Sequence, residues 1–173
     1  MTAPRAVLVG TMGAGKTTVG QLVADALGVG FADTDTVIEQ RVGKTVQDMF
    51  VDDGEQAFRA LERAVVAEFL DGHDGVLSLG GGAILDPSTQ ALLAPHRVVF
   101  LRVGLAEAVK RVGLGVGRPL LLGNVRSRVK QLLDERAPIY EGLARFTVDT
   151  DERAPADVAA EVVAALAALE ETS

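Results

Sequence analysis

Short apolar runs recur along the chain, and glycine, aspartate or a basic residue bounds most of them. Because polar residues do not interrupt these runs at every second position, the runs are typical of parallel strands that are buried on both faces. We therefore predict strands at 6–9, 29–32, 76–79 and 98–101, and a shorter fifth strand at 146–148.

Between the predicted strands, apolar residues recur at the spacing of amphipathic helices. Helices are predicted at 17–27, 56–70, 105–112, 125–137 and 156–169, the last with Pro155 at its start. The buried faces of the first two are predicted to be Val19, Leu22, Val23 and Ala26, and Phe58, Leu61, Val65, Val66 and Phe69. Strands that alternate with helices predict an α/β fold, in which helices cover both faces of a parallel sheet. With no repeat or linker, residues 1–173 are predicted to form one domain.

Composition and charge exclude several classes of site. The chain has no cysteine, which removes disulfides, thiolate nucleophiles and cysteine-ligated zinc. The two histidines, His73 and His96, lie far apart in polar stretches, which indicates exposed loops. A net charge of -7 argues against a nucleic-acid-binding surface, and no apolar run is long enough to cross a bilayer. Because the first nine residues lead into a strand, we predict no secretory signal and a cytoplasmic protein.

The clearest chemical signal is the pattern Gly-x-x-x-x-Gly-Lys-Thr at 10–17, between the first strand and the first helix. This is the context of a phosphate-binding P-loop, whose glycines let backbone N–H groups surround an anion at a helix start. Lys16 is then predicted to reach the terminal phosphates of a nucleotide, and the Thr17 hydroxyl to bind Mg²⁺. A glycine-rich turn without a ligand is the alternative, and the motif alone predicts only a nucleotide-binding protein.

Acidic residues and glycines follow the next two strands. Asp33 and Asp35 come after strand 29–32, and ligands gather at the carboxyl ends of parallel strands. One of this acidic pair is alternatively the N-cap of the next helix. Three consecutive glycines at 80–82 expose backbone N–H donors to a ligand, unless they form only a tight turn.

Three arginines have both a structural and a functional interpretation. Arg59 and Glu62 are three residues apart on a predicted helix and alone would be a surface ion pair. Arg118 ends a glycine-spaced stretch, which predicts a mobile lid at about 112–123 or, alternatively, a disordered surface loop. Arg136, at the end of its predicted helix, is alternatively a partner of the helix dipole.

Together these motifs resemble the shikimate kinases, from the P-loop to about Pro155. Six segments match that family in order and spacing, which is more specific than any single motif. They are the Walker A loop at 10–17, the Asp-x-Asp at 33–35, the Gly-Glu-x-x-Phe-Arg-x-x-Glu signature within 53–62, the glycine triplet within 79–82, the lid at 118–121 and the last substrate-contacting helix at 136–140.

The resemblance implies a nucleoside-monophosphate-kinase-like P-loop NTPase fold, with a five-stranded parallel sheet in the order 2-3-1-4-5. It implies a monomeric enzyme that uses ATP and one Mg²⁺ to phosphorylate the 3-hydroxyl of shikimate, on the pathway to aromatic amino acids. The alternatives are another small-molecule P-loop kinase, such as a gluconate or nucleotide kinase, and a non-catalytic nucleotide-binding regulator. The sequence has no Asn-Lys-x-Asp motif for guanine recognition, which disfavours the regulator.

The resemblance also implies roles for individual residues. Asp35 would orient the hydroxyl and accept its proton, while Lys16 and Arg118 would neutralise charge on the transferring group. The shikimate-binding region would span about 34–62, and the residues that form the substrate site would be Asp35, Phe50, Phe58, Arg59, Glu62, Gly80, Gly81, Gly82 and Arg136. The ATP-binding residues would be Gly13, Ala14, Gly15, Lys16, Thr17, Thr18, Arg111, Arg118, Arg153 and Pro155.

Within these sets, Arg59 and Arg136 would bind the substrate carboxylate, Glu62 would orient Arg59, and Arg111 would lie against the adenine. Two departures from the family pattern affect the nucleotide side. The chain has Ala154-Pro155 where the family often has Asn-Pro, and no Walker B acid follows strand 76–79. Mg²⁺ is therefore expected on Thr17 and, through water, on Asp33.

Overall fold

The computed structural model describes residues 2–11, 13–116 and 122–172. The strands of this part of the chain are β1 (Ala6–Val9), β2 (Phe31–Asp33), β3 (Val76–Ser78), β4 (Val98–Arg102) and β5 (Phe146–Asp149). The helices are α1 (Lys16–Leu27), α2 (Thr34–Val42), α3 (Val46–Asp52), α4 (Glu55–Gly72), α5 (Pro87–Leu93), α6 (Leu105–Val116), α7 (Leu122–Leu143) and α8 (Pro155–Glu171). A short 3-10 helix at Ala83–Leu85 precedes α5.

The strands form one parallel sheet with the order β2-β3-β1-β4-β5. This confirms the predicted fold and strand order. At the centre of the sheet, Leu8 aligns with Ser78 on one side and with Val99 on the other. Because β1 and β3 are parallel neighbours, the loop after β1 and the glycines after β3 meet at the carboxyl edge of the sheet, where ligands bind in folds of this type.

Helices pack on both faces of the sheet, as predicted. Successive strand residues point to opposite faces, so Leu8 and Val99 pack beneath α1 and α8 while Val7 and Val98 pack beneath α4, α5 and α7. Each face has its own apolar cluster, and the central strands are buried on both sides. The rigid sheet therefore carries the loops at its carboxyl edge on a fully packed base.

A third, smaller cluster forms where α2 and α3 pack against α4. Its buried members are Ile38, Met49, Phe58 and Val65. The helices α2 and α3 are short, with nine and seven residues, and their apolar spacing did not predict them. Side-chain caps define both starts: Asp33 Oδ1 accepts from the Thr36 N–H at 3.1 Å, and Thr45 Oγ1 accepts from the Asp48 N–H at 3.1 Å.

The predicted buried faces of α1 and α4 are wrong at particular positions. Leu22 and Leu61 are 36% and 43% exposed, and Ala26 is exposed as well. On α1, the core-facing positions include Gly20, which has no side chain because a Cβ there would overlap the Phe31 ring. On α4, the buried position beside Phe58 is the polar residue Glu62, which hydropathy assigns to the solvent.

Several predicted boundaries also differ from the observed ones. β2 begins two residues later than predicted and includes Asp33. α6 continues to Val116, and α7 begins at Leu122 and runs through Pro138 to Leu143. Arg136 therefore lies inside a helix, and its interpretation as a partner of a helix C-terminus is wrong. The predicted lid at 112–123 overlaps the ends of these two helices, and its residues 117–121 lie outside the described part of the chain.

The histidines and the helix lengths complete the description. His73 and His96 are partly buried and not fully exposed, and His73 Nε2 lies 3.1 Å from the Val76 carbonyl oxygen. Among the helices formed by residues 2–11, 13–116 and 122–172, none combines the length and the apolar composition needed to span a membrane.

Candidate active site

A cavity of about 550 Å³ opens at the carboxyl ends of β1, β2 and β3. It brings together residues from the P-loop, the two acidic positions, α3, α4, the glycine triplet and α7. Its lining consists of Gly13, Gly15, Lys16, Thr17, Thr18, Asp33, Asp35, Val46, Phe50, Phe58, Arg59, Glu62, Leu79, Gly80, Gly81, Gly82 and Arg136. Most of the predicted site residues therefore surround one space, and Val46 and Leu79 are additions that the sequence did not indicate.

The P-loop has the backbone shape that its glycines predict. Gly10, Gly13 and Gly15 have φ values of 153°, 86° and 88°, which residues with a side chain rarely adopt. Lys16 Nζ donates to the carbonyl oxygens of Gly10 at 2.7 Å and Thr11 at 3.2 Å, so the ammonium lies across its own loop. Burial lowers the pKa of Lys16 to about 8, and Asp33 and Asp35 oppose that shift.

Helix α1 starts at the P-loop without a side-chain cap. Its first N–H groups are therefore available to an anion, and the positive end of the helix dipole points toward the cavity. Thr17 and Thr18 are exposed in the first turn and line the cavity. This arrangement is suited to holding phosphate groups beside Lys16.

The two acidic residues after β2 have different environments. Asp33 caps α2, which confirms that one of the pair is an N-cap. Asp35 lies in the first turn of α2, and its buried Oδ1 has no hydrogen-bond partner among the described residues. Burial raises the pKa of Asp35 to about 6, and the negative charges of Asp33 and Glu62 add to the increase. A carboxylate with this pKa can accept a proton near neutral pH.

None of the three glycines of the triplet has a positive φ, so their backbone conformation does not require glycine. Glycine is needed there because a side chain would overlap neighbouring atoms. A Cβ at Gly80 would lie 2.6 Å from Asp35 Oδ1, and one at Gly82 would lie 2.5 Å from Arg59 Nη2. At Gly81 it would lie 3.2 Å from an Arg136 guanidinium nitrogen. Each glycine thus makes room for one charged side chain of the cavity.

Arg59 and Glu62 form a buried pair and not a surface ion pair. Their side chains are 22% and 4% exposed, and Arg59 Nη1 donates to Glu62 Oε1 at 2.7 Å. Burial raises the pKa of Glu62, and the hydrogen bond and positive charge of Arg59 oppose that shift. The guanidinium carbon also lies 5.7 Å from the Phe50 ring centroid and 5.5 Å from that of Phe58. Arg59 is therefore oriented by Glu62 and by two aromatic rings.

Arg136 reaches the cavity from α7. No carboxylate of the described residues lies within 4.0 Å of its guanidinium, in contrast to Arg59. One helical turn later, the Tyr140 hydroxyl donates to the Gly81 carbonyl oxygen at 2.6 Å. No separate role was predicted for Tyr140, since a bond between residues 59 positions apart has no local pattern.

The predicted adenine-side residues lie outside the cavity lining. Arg111 donates to the carbonyl oxygens of Gly13 at 2.7 Å and Thr150 at 3.1 Å, and its Nε lies 3.2 Å from Glu107 Oε1. Its guanidinium therefore lies beside the P-loop.

Other predicted nucleotide residues lie at the start of α8 or within the loop. Arg153 donates to the Asp149 carbonyl oxygen at 2.9 Å and pairs with Glu161 at 2.8 Å. Pro155 is the first residue of α8, and Ala14 is buried in the P-loop. Arg118 lies outside the described residues.

The residue types of the cavity fit a magnesium ion that is bound together with a nucleotide. Thr17 and Asp33 both line the cavity and supply a hydroxyl and a carboxylate oxygen, which are ligands that Mg²⁺ accepts alongside water and phosphate oxygens. In the part of the chain that is described, no group of three or more His, Asp or Glu side chains could hold a metal ion by itself. The remaining ligands would therefore come from the nucleotide and from water.

Comparisons with known proteins agree with this geometry. A family model described as Shikimate kinase matches residues 12–167. A shikimate kinase from Thermobifida fusca is 62% identical over 93% of this chain and 93% of that protein. A shikimate kinase from Salinispora arenicola is 55% identical over 96% of this chain and 99% of that protein.

The solved structures include shikimate kinase from Acinetobacter baumannii in complex with shikimate. It is 34% identical, with a TM-score of 0.88, over 97% of this chain and 94% of that one. The sheet order, the P-loop and the cavity described above are consistent with the sequence matches, which extend over nearly the whole chain. This chain belongs to the shikimate kinase family.

Proposed function

We propose that this chain transfers the terminal phosphoryl group of ATP to the 3-hydroxyl of shikimate, which yields ADP and shikimate 3-phosphate on the pathway to aromatic amino acids. The observation that carries the proposal is the position of Arg59. Its guanidinium, bound to Glu62 and flanked by two phenyl rings, lines the same cavity as Lys16 and Asp35. A carboxylate-binding group and a phosphate-binding group thus face one space.

Shikimate carries one carboxylate and three hydroxyls, and the cavity has partners for both kinds of group. Arginine binds a carboxylate through two parallel hydrogen bonds, so Arg59 and Arg136 would hold the carboxylate. Asp35 and the backbone N–H groups of the glycine triplet would bind hydroxyls. Phe50 and Phe58 would line the ring of the substrate, and Glu62 would keep Arg59 in place.

Phosphoryl transfer passes through a loose transition state, so positioning and charge neutralisation matter more than a strong base. Asp35 would orient the 3-hydroxyl and accept its proton late in the reaction. Lys16, the P-loop N–H groups and the N-terminus of α1 would stabilise negative charge on the transferring phosphoryl group. In this role, the pKa of about 6 keeps Asp35 deprotonated at neutral pH but still able to take up a proton.

A magnesium ion bound with ATP would neutralise charge between its phosphates. Thr17 would bind the ion directly and Asp33 would bind it through water, since no Walker B acid follows β3. These two residues also line the phosphate side of the cavity.

The remaining assignments are further parts of the same proposal. The nucleotide would be bound by Gly13, Ala14, Gly15, Lys16, Thr17, Thr18, Arg111, Arg153 and Pro155, with Arg118 delivered by a lid at about 112–123. Arg111, already held beside the P-loop, would meet the adenine. The whole chain would act as one kinase domain, with a shikimate-binding region at about 34–62, and as a cytoplasmic monomer.

ADP release, measured in a coupled assay with ATP and Mg²⁺, tests the proposal. Shikimate, gluconate and nucleoside monophosphates are offered in parallel, with a reaction that lacks an acceptor as the baseline. We expect shikimate alone to raise the rate above baseline and to gain one phosphoryl group in mass. A response to gluconate or a nucleotide in place of shikimate would contradict the proposed acceptor, and no response to any acceptor would favour a non-catalytic role.

A further inference from the structure

Tyr140 combines an apolar environment with polar contacts at its hydroxyl. It is 1% exposed on α7, and its ring centroid lies 5.0 Å from that of Phe100 in β4. Its hydroxyl nevertheless donates to the Gly81 carbonyl oxygen at 2.6 Å. Phenylalanine would fill the same apolar space without a buried hydroxyl, whose desolvation is costly unless it forms a hydrogen bond. The hydroxyl is therefore explained by its polar contacts with the glycine triplet and with Arg136, and not by packing.

The bonded carbonyl belongs to the peptide unit between Gly81 and Gly82. With no Cβ on either side, this unit has fewer steric limits on its rotation than a peptide between residues with side chains. The preceding Gly80 N–H donates to Thr34 Oγ1 at 3.2 Å, and the following Ala83 N–H donates to the Gly80 carbonyl oxygen at 3.1 Å. The Gly81 carbonyl is held by Tyr140.

The N–H groups of Gly81 and Gly82 have no acceptor among the described residues, although both glycines line the cavity. In a planar trans peptide the C=O and N–H bonds point in opposite directions. Fixing the Gly81 carbonyl toward α7 therefore directs the Gly82 N–H away from α7. Arg136 lies one turn before Tyr140 on the same helix, so α7 contributes both a guanidinium and the orientation of this peptide to the cavity wall.

We propose that Tyr140 is a positioning residue, whose hydroxyl orients the Gly81–Gly82 peptide so that its N–H donor meets the phosphoryl acceptor. The inference rests on the proposed function, because it assumes that the acceptor binds against the glycine triplet, on the side to which the Gly82 N–H points. It adds to that function a residue that touches neither substrate.

The test is Tyr140→Phe, which removes the hydroxyl and keeps the ring against Phe100. Loss of one aligned hydrogen bond is expected to lower kcat/KM for shikimate by roughly 5- to 20-fold. The KM for ATP should stay within about twofold of the wild-type value, because the change lies on the acceptor side of the cavity. Equal changes in the two KM values, or no change in either, would overturn the inference.

A control separates positioning from general destabilisation. Leu93→Val removes a methylene from the same apolar cluster at α5, away from the glycine triplet. We expect it to lower the melting temperature without altering the KM for shikimate. If Leu93→Val raised that KM as much as Tyr140→Phe, the effect would be one of stability and the inference would be wrong.

Amide hydrogen exchange, measured without substrate, tests the positioning role without assuming which acceptor binds. In Tyr140→Phe we expect exchange at Ala83, whose N–H is bonded to the Gly80 carbonyl oxygen, to become at least several-fold faster while the amides of β1 and β4 keep wild-type rates. Unchanged exchange at Ala83 would contradict positioning even if shikimate is the acceptor. Faster exchange in a protein that does not phosphorylate shikimate would instead contradict the proposed function and leave the positioning role supported.

Discussion

Arg59 is restrained by its surroundings on several sides. Glu62 accepts a hydrogen bond from it, the rings of Phe50 and Phe58 lie within 6 Å of its guanidinium carbon, and Gly82 leaves the space that its Nη atoms occupy. A planar guanidinium in this setting presents a fixed pair of donors, whereas the ammonium of lysine is a point charge on a flexible chain. Substrate binding should therefore require an arginine at position 59, and another residue of the same charge should not replace it.

The substitution Arg59→Lys tests this point. We expect the KM for shikimate to rise by about tenfold or more, because two-point pairing is lost and Glu62 loses its buried hydrogen bond. The KM for ATP should change much less, and initial-rate kinetics with each substrate varied in turn would measure both.

Arg63→Lys is the matched control on the same helix. Arg63 is 45% exposed and pairs with Asp86 at 2.9 Å, away from the cavity lining. Exposed pairs of this kind contribute little, so both KM values should remain at the wild-type level. A similar rise in the KM for ATP in Arg59→Lys would count against a role in carboxylate binding.

At the scale of elements, the site depends on α4 and α7 approaching the turn after β3 from two sides. Gly82 has a φ of -95°, which alanine can adopt, so a side chain there is limited by space alone. The backbone of the turn can therefore accommodate alanine at position 82, but the alanine side chain would overlap the Arg59 guanidinium.

We predict that Gly82→Ala displaces the Arg59 guanidinium, because its Cβ would lie 2.5 Å from Nη2. The KM for shikimate should rise roughly 10-fold, in line with the loss of one charged hydrogen bond, while the protein stays folded. Kinetics and thermal unfolding of the purified variant would measure the two effects.

Gly142→Ala serves as the control, since it lies in α7 with no atom within 4 Å of an added Cβ. A helical Gly→Ala change at an unstrained position should raise the free energy of unfolding by about 0.5–1 kcal/mol and leave the kinetics unchanged. Gly82→Ala with wild-type kinetics would show that Arg59 can move aside without loss.

The sequence predicts the elements that depend only on residues close together in the chain. β1, β3 and β4 are buried on both faces and read as apolar runs, and the P-loop is recognisable because its glycines have a backbone requirement. The sequence did not predict α2 and α3, because these helices are short and their apolar residues pack onto α4. Hydropathy alone would place Glu62 on the solvent face, because its burial depends on its pairing with Arg59. Tyr140 bonds to a partner 59 residues away, which no local pattern indicates.

At the scale of the whole molecule, Asp35 links the site to stability. Its pKa in the folded protein is about 6, above the ordinary value of 3.8, so the folded state holds this proton more tightly than the unfolded state. The contribution of Asp35 to the free energy of unfolding is therefore highest below about pH 4 and decreases as the pH rises through about 6. At neutral pH the buried carboxylate destabilises the fold.

Asp35→Asn should accordingly raise the melting temperature at pH 7, by about 2 °C or more, since 1 kcal/mol shifts the midpoint of a domain of this size by about 2–4 °C. The difference should shrink toward pH 4, where the wild-type carboxyl is protonated. Calorimetry across this pH range would measure it, and kcat should fall by about 10²-fold or more because amide nitrogen and oxygen cannot take up the proton.

Asp25→Asn, at an exposed position on α1, provides the comparison. It should leave the melting temperature within about 1 °C at both pH values, as expected for a surface substitution. A lower melting temperature for Asp35→Asn at pH 7 would show that the carboxylate stabilises the fold, contrary to its burial without a partner at Oδ1.

The bond between Tyr140 and Gly81 also has a spectroscopic consequence. The chain has no tryptophan and a single tyrosine, so the ultraviolet emission of the protein above that of phenylalanine comes from one phenol. That phenol is bonded to the wall of the cavity. Titrating unlabelled protein with a ligand would therefore report on this peptide through an intrinsic fluorophore, without a dye or an introduced tryptophan.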